Sequence, residues 1–330
     1  MSDQNWQNST STVDTAKNDT DSKQWTLIQD LVLSITTEQR RARRWSIFFK
    51  LSILAYFIAG LLIFANIGGS KIPTTSDSAT AMVRVEGVIA DQEKASADRI
   101  VTGLRNAFEH KSVKGVILKI NSPGGSPVQS GQVFDEIKRL RNLHPETKLY
   151  AVITDIGASG AYYIAAAADE IYADKASLVG SIGVVSSSFG FVDSIKKLGV
   201  ERRLMTAGEH KGFLDPFKPL NTEESGYWQE VLNTTHQQFI NQVKLGRGDR
   251  LADNEKLFSG LVWSGEQAID LGLVDALGSP GFVAREIIGE ENIVDFTPKQ
   301  SPFEAFAEKF GATAAKVLAQ EMITGGPQLQ

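Results

Sequence analysis

The sequence predicts an α/β fold of repeated βα or ββα units around a parallel sheet, preceded by one transmembrane helix. Two observations carry this. From Ala81 onward, short aliphatic and β-branched runs alternate with segments whose apolar residues recur at helical spacing, which builds a parallel sheet covered by helices. Ahead of that pattern, residues 47–67 are 21 mostly apolar positions, about 31 Å long as a helix, directly behind a basic cluster.

The chain opens on a tail, 1–46. Residues 1–24 are nearly all Ser, Thr, Asn, Gln, Asp and Lys with the isolated Trp6, and such a composition cannot bury enough surface to order itself. Leu27, Ile28, Leu31, Val32, Leu33 and Ile35 then fit a short amphipathic helix. The basic cluster is Arg40, Arg41, Arg43 and Arg44; Trp45 suits the membrane interface and Lys50 can snorkel. These charges hold the N-terminus in the cytoplasm and place everything after Ile67 on the extracytoplasmic, periplasmic side of an inner (plasma) membrane crossed once. A buried core helix competes, but core helices rarely stay apolar all round behind a basic cluster. A cleaved signal peptide also competes, and the more than 40 residues before the apolar run disfavour it. Gly, Ser, Thr and Pro make 68–80 a linker, 81–296 the folded domain, and 297–330 a C-terminal extension with an amphipathic helix from Pro302 to Ile323.

Within the domain, 82–89 reads as a strand with a turn, 96–109 as a helix, 115–120 as a buried strand, 126–141 as a helix, 149–154 as a strand and 159–168 as a helix. Strands follow at 170–173, 179–186 and 201–205, with a helix at 190–198. A long helix at 222–244 precedes helices at 264–271 and 280–288 and a short strand at 292–296. A hydrophobic content of 42% over 330 residues is ample for the core this requires. The net charge of −5 argues for no nucleic-acid partner, and the absence of cysteine excludes a thiol nucleophile, a disulfide framework and a thiolate metal site.

The chemistry concentrates at two turns. In Gly157-Ala-Ser-Gly-Ala-Tyr-Tyr163 a hydroxyl, Ser159, follows a strand and starts a helix among small residues, where it is either a helix cap or a nucleophile open to substrate. In Asn121-Ser-Pro-Gly-Gly-Ser126, one βα unit earlier, adjacent glycines can aim backbone N–H groups at a carbonyl oxygen, or merely form a turn. Both turns lie at the carboxyl edge of the sheet, where α/β active sites sit. A serine nucleophile needs a base. His110, His144 and His236 fall on or at the ends of helices, His210 lies in a loop, and beside it Lys211 has apolar neighbours in Phe213, Leu214 and Phe217 that can favour a neutral amine.

Asn121-Ser-Pro-Gly-Gly125, Gly157-Ala-Ser-Gly-Ala-Tyr-Tyr163, Gly180-Ser-Ile-Gly-Val184, Gly208-Glu-His-Lys-Gly212 and the stretch Val262 to Asp275 together resemble the S49 serine peptidases, in the short form of the signal peptide peptidases with one catalytic domain and an N-terminal anchor. The resemblance spans roughly 80–295 in the same order. It implies a ClpP/crotonase-type fold and a Ser–Lys dyad, with Ser159 as nucleophile, Lys211 as general base, Ser181 orienting the lysine, and an oxyanion hole at Gly125 and Gly160. His210 stands where the family usually carries an aromatic. The resemblance also implies no metal or cofactor, substrates that are remnant signal peptides in the membrane, and a homo-oligomer in which some members complete a site from a neighbour. Two other functions compete: a crotonase-like acyl-CoA enzyme, which extracytoplasmic placement disfavours, and a non-catalytic membrane scaffold, which the intact Ser159, Lys211 and Ser181 disfavour.

Overall fold

The computed structural model describes residues 39–41, 43–60 and 78–299. The chain divides into two compact units, Ser70–Lys299 and a second made of Met1–Gly69 with Gln300–Gln330. In the second, residues 43–60 are helical and every side chain is exposed, Phe48, Leu51, Leu54 and Phe57 included. No helix among the described residues is long and apolar enough to cross a membrane. The last residues of the expected anchor, 61–67, lie outside the described residues, as do the expected helices at 25–35 and 302–323 and most of the linker.

The larger unit is a mixed α/β domain on one eight-stranded sheet. Its strands are β1 (Ala79–Glu86), β2 (Val113–Ser122), β3 (Lys148–Ala158), β4 (Glu170–Ala173), β5 (Leu178–Gly180), β6 (Val262–Ser264), β7 (Ala276–Leu277) and β8 (Ile293–Asp295). The order is β6-β5-β3-β2-β1-β8, with β4 pairing β3 and carrying β7, and every pair is parallel except β5 with β6. Successive β2 residues serve opposite faces, as the pleat requires: Val116, Leu118 and Ile120 enter the main core, whereas Ile117 joins Val152, Tyr172 and Val283 on the other side.

The longest strand, β3, serves two neighbours. Its first half pairs with β4 through Tyr150–Ile153 and its second with β5 through Ile156–Ala158. The register against β2 shifts between Ile120 and Ser122, so that Ser122 lies opposite Gly157. The two residues that lead into the functional turns are therefore paired in the sheet.

Helices α1 (Ala97–Glu109) and α2 (Pro127–Leu143) cover one face, burying Ile100, Leu104 and Phe108 from the first and Val133, Phe134, Ile137 and Leu140 from the second. Ser126 caps α2 by accepting from the Gln129 N–H, with Pro127 at the first helical position. The short α3 (Gly160–Ala165) is wholly buried, α4 (Val192–Lys197) has no buried residue, and α5 (Thr222–Arg247) is capped by Asn221 and buries Phe239, Val243 and Arg247 near its end. A capping box of Ser264 and Gln267 starts α6 (Gly265–Asp270).

Three expected elements differ. The strand expected over 179–186 ends at Gly180, because Gly180 (φ 103°) and Ser181 (φ 52°) turn the chain out of the sheet. No strand forms over 201–205, where every residue but Leu204 is exposed and no burial against the sheet holds the segment extended. The helix expected over 280–288 is α-helical only at Pro280–Phe282 and continues as a π-helix, Val283–Ile288, closed by Gly289 at φ 77°.

An ion network around Glu136 joins α1 to α2. Glu136 is nearly buried and accepts from Arg139 at 2.6 and 2.8 Å and from Arg105 at 2.7 Å. Its bond to Arg139 holds the carboxyl down to about 2, against the opposing effect of burial and with help from Arg105. A carboxyl depressed in the folded state stabilises the fold above its unfolded pKa and loses that contribution as pH falls through the folded value. Glu136→Gln is therefore expected to melt lower than wild type at pH 7 and to lose less of its Tm between about pH 4.5 and about pH 2. Equal acid slopes in calorimetry would remove Glu136 as a source of acid sensitivity.

Candidate active site

Ser159 sits between β3 and α3 with φ 54° and ψ −125°, a conformation rare for a residue with a side chain and one that costs of order 1–3 kcal/mol. The surrounding backbone imposes it. The Ser159 N–H donates to the Gly180 carbonyl at 2.8 Å, and its carbonyl accepts from the Tyr163 N–H at 3.0 Å. The hydroxyl itself caps nothing, since the α3 N-cap makes no side-chain hydrogen bond. Of the two sequence-level readings, the cap is thus removed.

The Pro-Gly-Gly turn lies against it. Ser122 is fully buried and its hydroxyl accepts from the Gly124 N–H at 3.1 Å, while Ile89 brackets the next residue, donating to the Gly124 carbonyl and accepting from the Ser126 N–H. Gly124 adopts φ 97°, and a Cβ there would stand 2.7 Å from the Gly160 nitrogen and 2.8 Å from Ser159 Cβ. A Cβ on Gly125 would strike the Ile89 carbonyl oxygen at 2.1 Å, so both positions require glycine. Among the described residues, neither the Gly125 N–H nor the Gly160 N–H donates to any protein acceptor. Two free amides beside an unbonded hydroxyl are the parts an oxyanion hole and a nucleophile need.

These three residues open onto a cavity of about 150 Å³, with Pro127, Tyr163, Val184 and Phe239 among its other walls. Tyr163 stacks on Phe239 with centroids 4.9 Å apart and meets Phe134 edge-on, which makes this wall rigid and apolar.

Ser181 follows the carbonyl that holds Ser159 and also has a positive φ; its N–H donates to Leu261. Its hydroxyl makes no hydrogen bond among the described residues. Lys211 is not brought to Ser159. It lies in an exposed turn, lines no part of the cavity, and its ammonium has no hydrogen bond or ion pair among the described residues. The desolvation expected from its neighbours is absent, because Phe213 packs edge-on against Trp228 and Phe217 against Phe191 while the lysine stays in solvent. His210 is exposed as well, 3.8 Å from Glu224. Sequence reasoning missed the contribution of α5, whose Thr235 and Phe239 line the cavity and whose His236 bonds the Ile182 carbonyl. Helical spacing marked these residues only as one face of an amphipathic helix.

Comparison with known proteins gives the family. The family model for peptidase family S49 matches residues 141–287, a span holding Ser159, Gly160, Ser181 and Lys211. The putative signal peptide peptidase SppA of Enterococcus faecium is 31% identical over 230 residues, 67% of this chain and 66% of the relative. The chain belongs to peptidase family S49. Protease 4 of Haemophilus influenzae is 36% identical over 206 residues, 60% of this chain and 32% of that protein. A Na(+)/H(+) antiporter NhaA of Brucella abortus is 46% identical over 188 residues, 57% of this chain but 25% of the antiporter. The S49 chain thus spans a quarter of the Brucella protein's length, and the antiporter name describes a protein far longer than the matched segment.

Proposed function

We propose that this S49 chain is a membrane-anchored serine endopeptidase on a ClpP/crotonase-type fold that degrades remnant signal peptides after their release from secreted precursors. Ser159 is the nucleophile, the Gly125 and Gly160 amides hold the oxyanion, and Lys211, oriented by Ser181, is the general base. The observation that carries the reading is the strained, unbonded Ser159 hydroxyl beside two undonated amides at the mouth of an apolar cavity. The exposure of Lys211 supports a dyad completed between copies of the chain, the lysine of one copy serving the serine of its neighbour. The exposed apolar side chains of 45–60, behind four arginines, support the anchor.

The chemistry follows from these parts. The neutral lysine takes the Ser159 proton as the oxygen attacks a peptide carbonyl, and the two amides take up the negative charge on the carbonyl oxygen. The resulting ammonium protonates the leaving amine, and water repeats the cycle on the acyl-enzyme. Apolar walls next to the hydroxyl suit the apolar segments of signal peptides.

Complementation tests the shared dyad. Ser159→Ala and Lys211→Ala chains, each inactive alone on a short apolar peptide, are expected to recover activity when co-assembled, because a Ser159→Ala copy still supplies its lysine. Labelling of Ser159 by a fluorophosphonate in wild type and no recovery on mixing would place the dyad within one chain. No labelling and no hydrolysis by wild type would leave the scaffold reading.

A further inference from the structure

The cavity beside Ser159 has two walls from distant parts of the chain. One is α5, through Thr235 and Phe239; the other is the stretch after β5, through Gly183, Val184 and Val185. That stretch has no sheet partner. Residues 183–190 make no hydrogen bond among the described residues, and Val185 is 88% exposed. Gly183 is steadied on one side by Gly260, whose Cα a Cβ would meet at 3.0 Å. The last polar tie before the free stretch is a single side chain, His236, whose Nε2 lies 3.1 Å from the Ile182 carbonyl oxygen.

The placement of this bond is what gives it consequence. His236 adjoins Thr235 in α5 and Ile182 adjoins Gly183, so one hydrogen bond spans the two walls at the edge of the cavity. A carbonyl only accepts, so Nε2 carries the proton, and an imidazole can donate it in either charge state. Ile182 is wholly buried and gives the bond a fixed point in the core.

Resting on the reading of Ser159 as nucleophile, we propose that His236 is a positioning residue: by tying the Ile182 carbonyl to α5 it sets the width of the cavity, and so the size of the apolar side chain accepted next to the scissile bond. A cavity of about 150 Å³ holds a benzene-sized group, which admits Ala and Leu and excludes the indole of Trp. The α5 wall adds no competing donor, because the Thr235 hydroxyl proton is committed to the Val231 carbonyl at 3.0 Å. When the tie is lost, residues 184 and 185 have nothing polar to hold them against α5, and the cavity widens.

The full chain in detergent is assayed on peptides that differ only in the residue before the scissile bond: Ala, Leu or Trp. Wild type is expected to cleave the first two and discriminate against Trp. His236→Ala and His236→Asn, whose amide is too short to reach Ile182, are expected to lose about tenfold of that discrimination, chiefly through KM. His236→Gln places an amide donor near the position of Nε2 and is expected to restore it. Wild-type selectivity in both the Ala and Asn variants overturns the proposal, as does a uniform loss of rate on all three peptides, which is what a general packing defect gives. Failure of wild type to cleave any peptide or to take a fluorophosphonate on Ser159 overturns the peptidase reading and this proposal with it.

Discussion

Ser159→Ala is expected to abolish peptide hydrolysis, by a factor on the order of 10⁴–10⁶, without lowering the Tm. The two halves of this expectation have separate grounds. The loss follows from the proposed role of Ser159: among the described residues its hydroxyl is the one that lies unbonded between the two free amides and the cavity, and on that reading what remains without it is binding and the oxyanion hole. The unchanged Tm follows because the hydroxyl makes no hydrogen bond, so its removal costs the fold nothing. Ser159→Gly sharpens the test. Glycine accepts φ 54° freely, and relief of the strain at this position is expected to raise stability by about 1 kcal/mol over Ser159→Ala. Residual hydrolysis in both variants above about a thousandth of wild type would mean that the attacking group lies elsewhere. A marked fall in Tm for Ser159→Ala would mean that the hydroxyl holds the turn together.

The parts of the site that proved legible in the sequence are those built locally. Ser159 and Gly125 each lie between a strand and a helix, Gly160 opens the helix after Ser159, and parallel βα units bring all such turns to one edge of the sheet. Their spacing along the chain therefore implied their meeting in space. The parts that were not legible depend on long excursions. Lys211 belongs to the stretch between β5 and α5, which returns to the sheet at few points, so neither its sequence neighbours nor a strand register says what it faces. The apolar residues around it read as cover for a buried amine, yet Phe213 packs on Trp228 and Phe217 on Phe191 instead. Likewise α5 was legible as a long helix, but which of its residues meet the cavity depends on how it docks, which no periodicity encodes. The strands β6 and β7, of three and two residues, are too short for an alternation to register.

That docking leads to the second large effect, at Arg247. This residue closes α5 and is 2% exposed, yet it carries a full charge. Its guanidinium forks onto Asp275, at 2.7 and 2.9 Å, and its Nε donates to the Gly272 carbonyl at 2.9 Å. Asp275 in turn accepts from the Ile171 N–H at 2.7 Å, at the start of β4. Nearby, the Tyr162 hydroxyl in α3 donates to the Leu273 carbonyl, and a Cβ on Gly246 would strike the Ala166 carbonyl oxygen at 1.9 Å, so the end of α5 is seated directly on the helix that Ser159 begins. Burial alone pushes the Asp275 carboxyl up, and the bonds and charge of Arg247, joined by the Ile171 N–H and the charge of Arg250, outweigh it to leave the group below its ordinary value. Arg247→Ala removes most of that compensation and leaves Asp275, in a poorly solvated site, with Arg250 at 3.3 Å as its remaining cation, an expected loss of about 3 kcal/mol and a Tm lower by roughly 10 °C. The sign of the pH effect follows: the pair stabilises the fold above the unfolded carboxyl pKa and that contribution fades as pH falls below it, so the gap between wild type and Arg247→Ala is expected to close in acid. Adding Asp275→Asn to Arg247→Ala is expected to recover part of the loss at pH 7, since an amide oxygen still accepts from Ile171 without a buried charge. A deficit below about 1 kcal/mol in the single variant, or no recovery in the double, would show that solvent and Arg250 suffice to compensate Asp275. Because α5 also carries Thr235, His236 and Phe239, an end unseated from α3 is expected to cost activity at temperatures well below the melt, which ties the stability of this pair to the cavity beside Ser159.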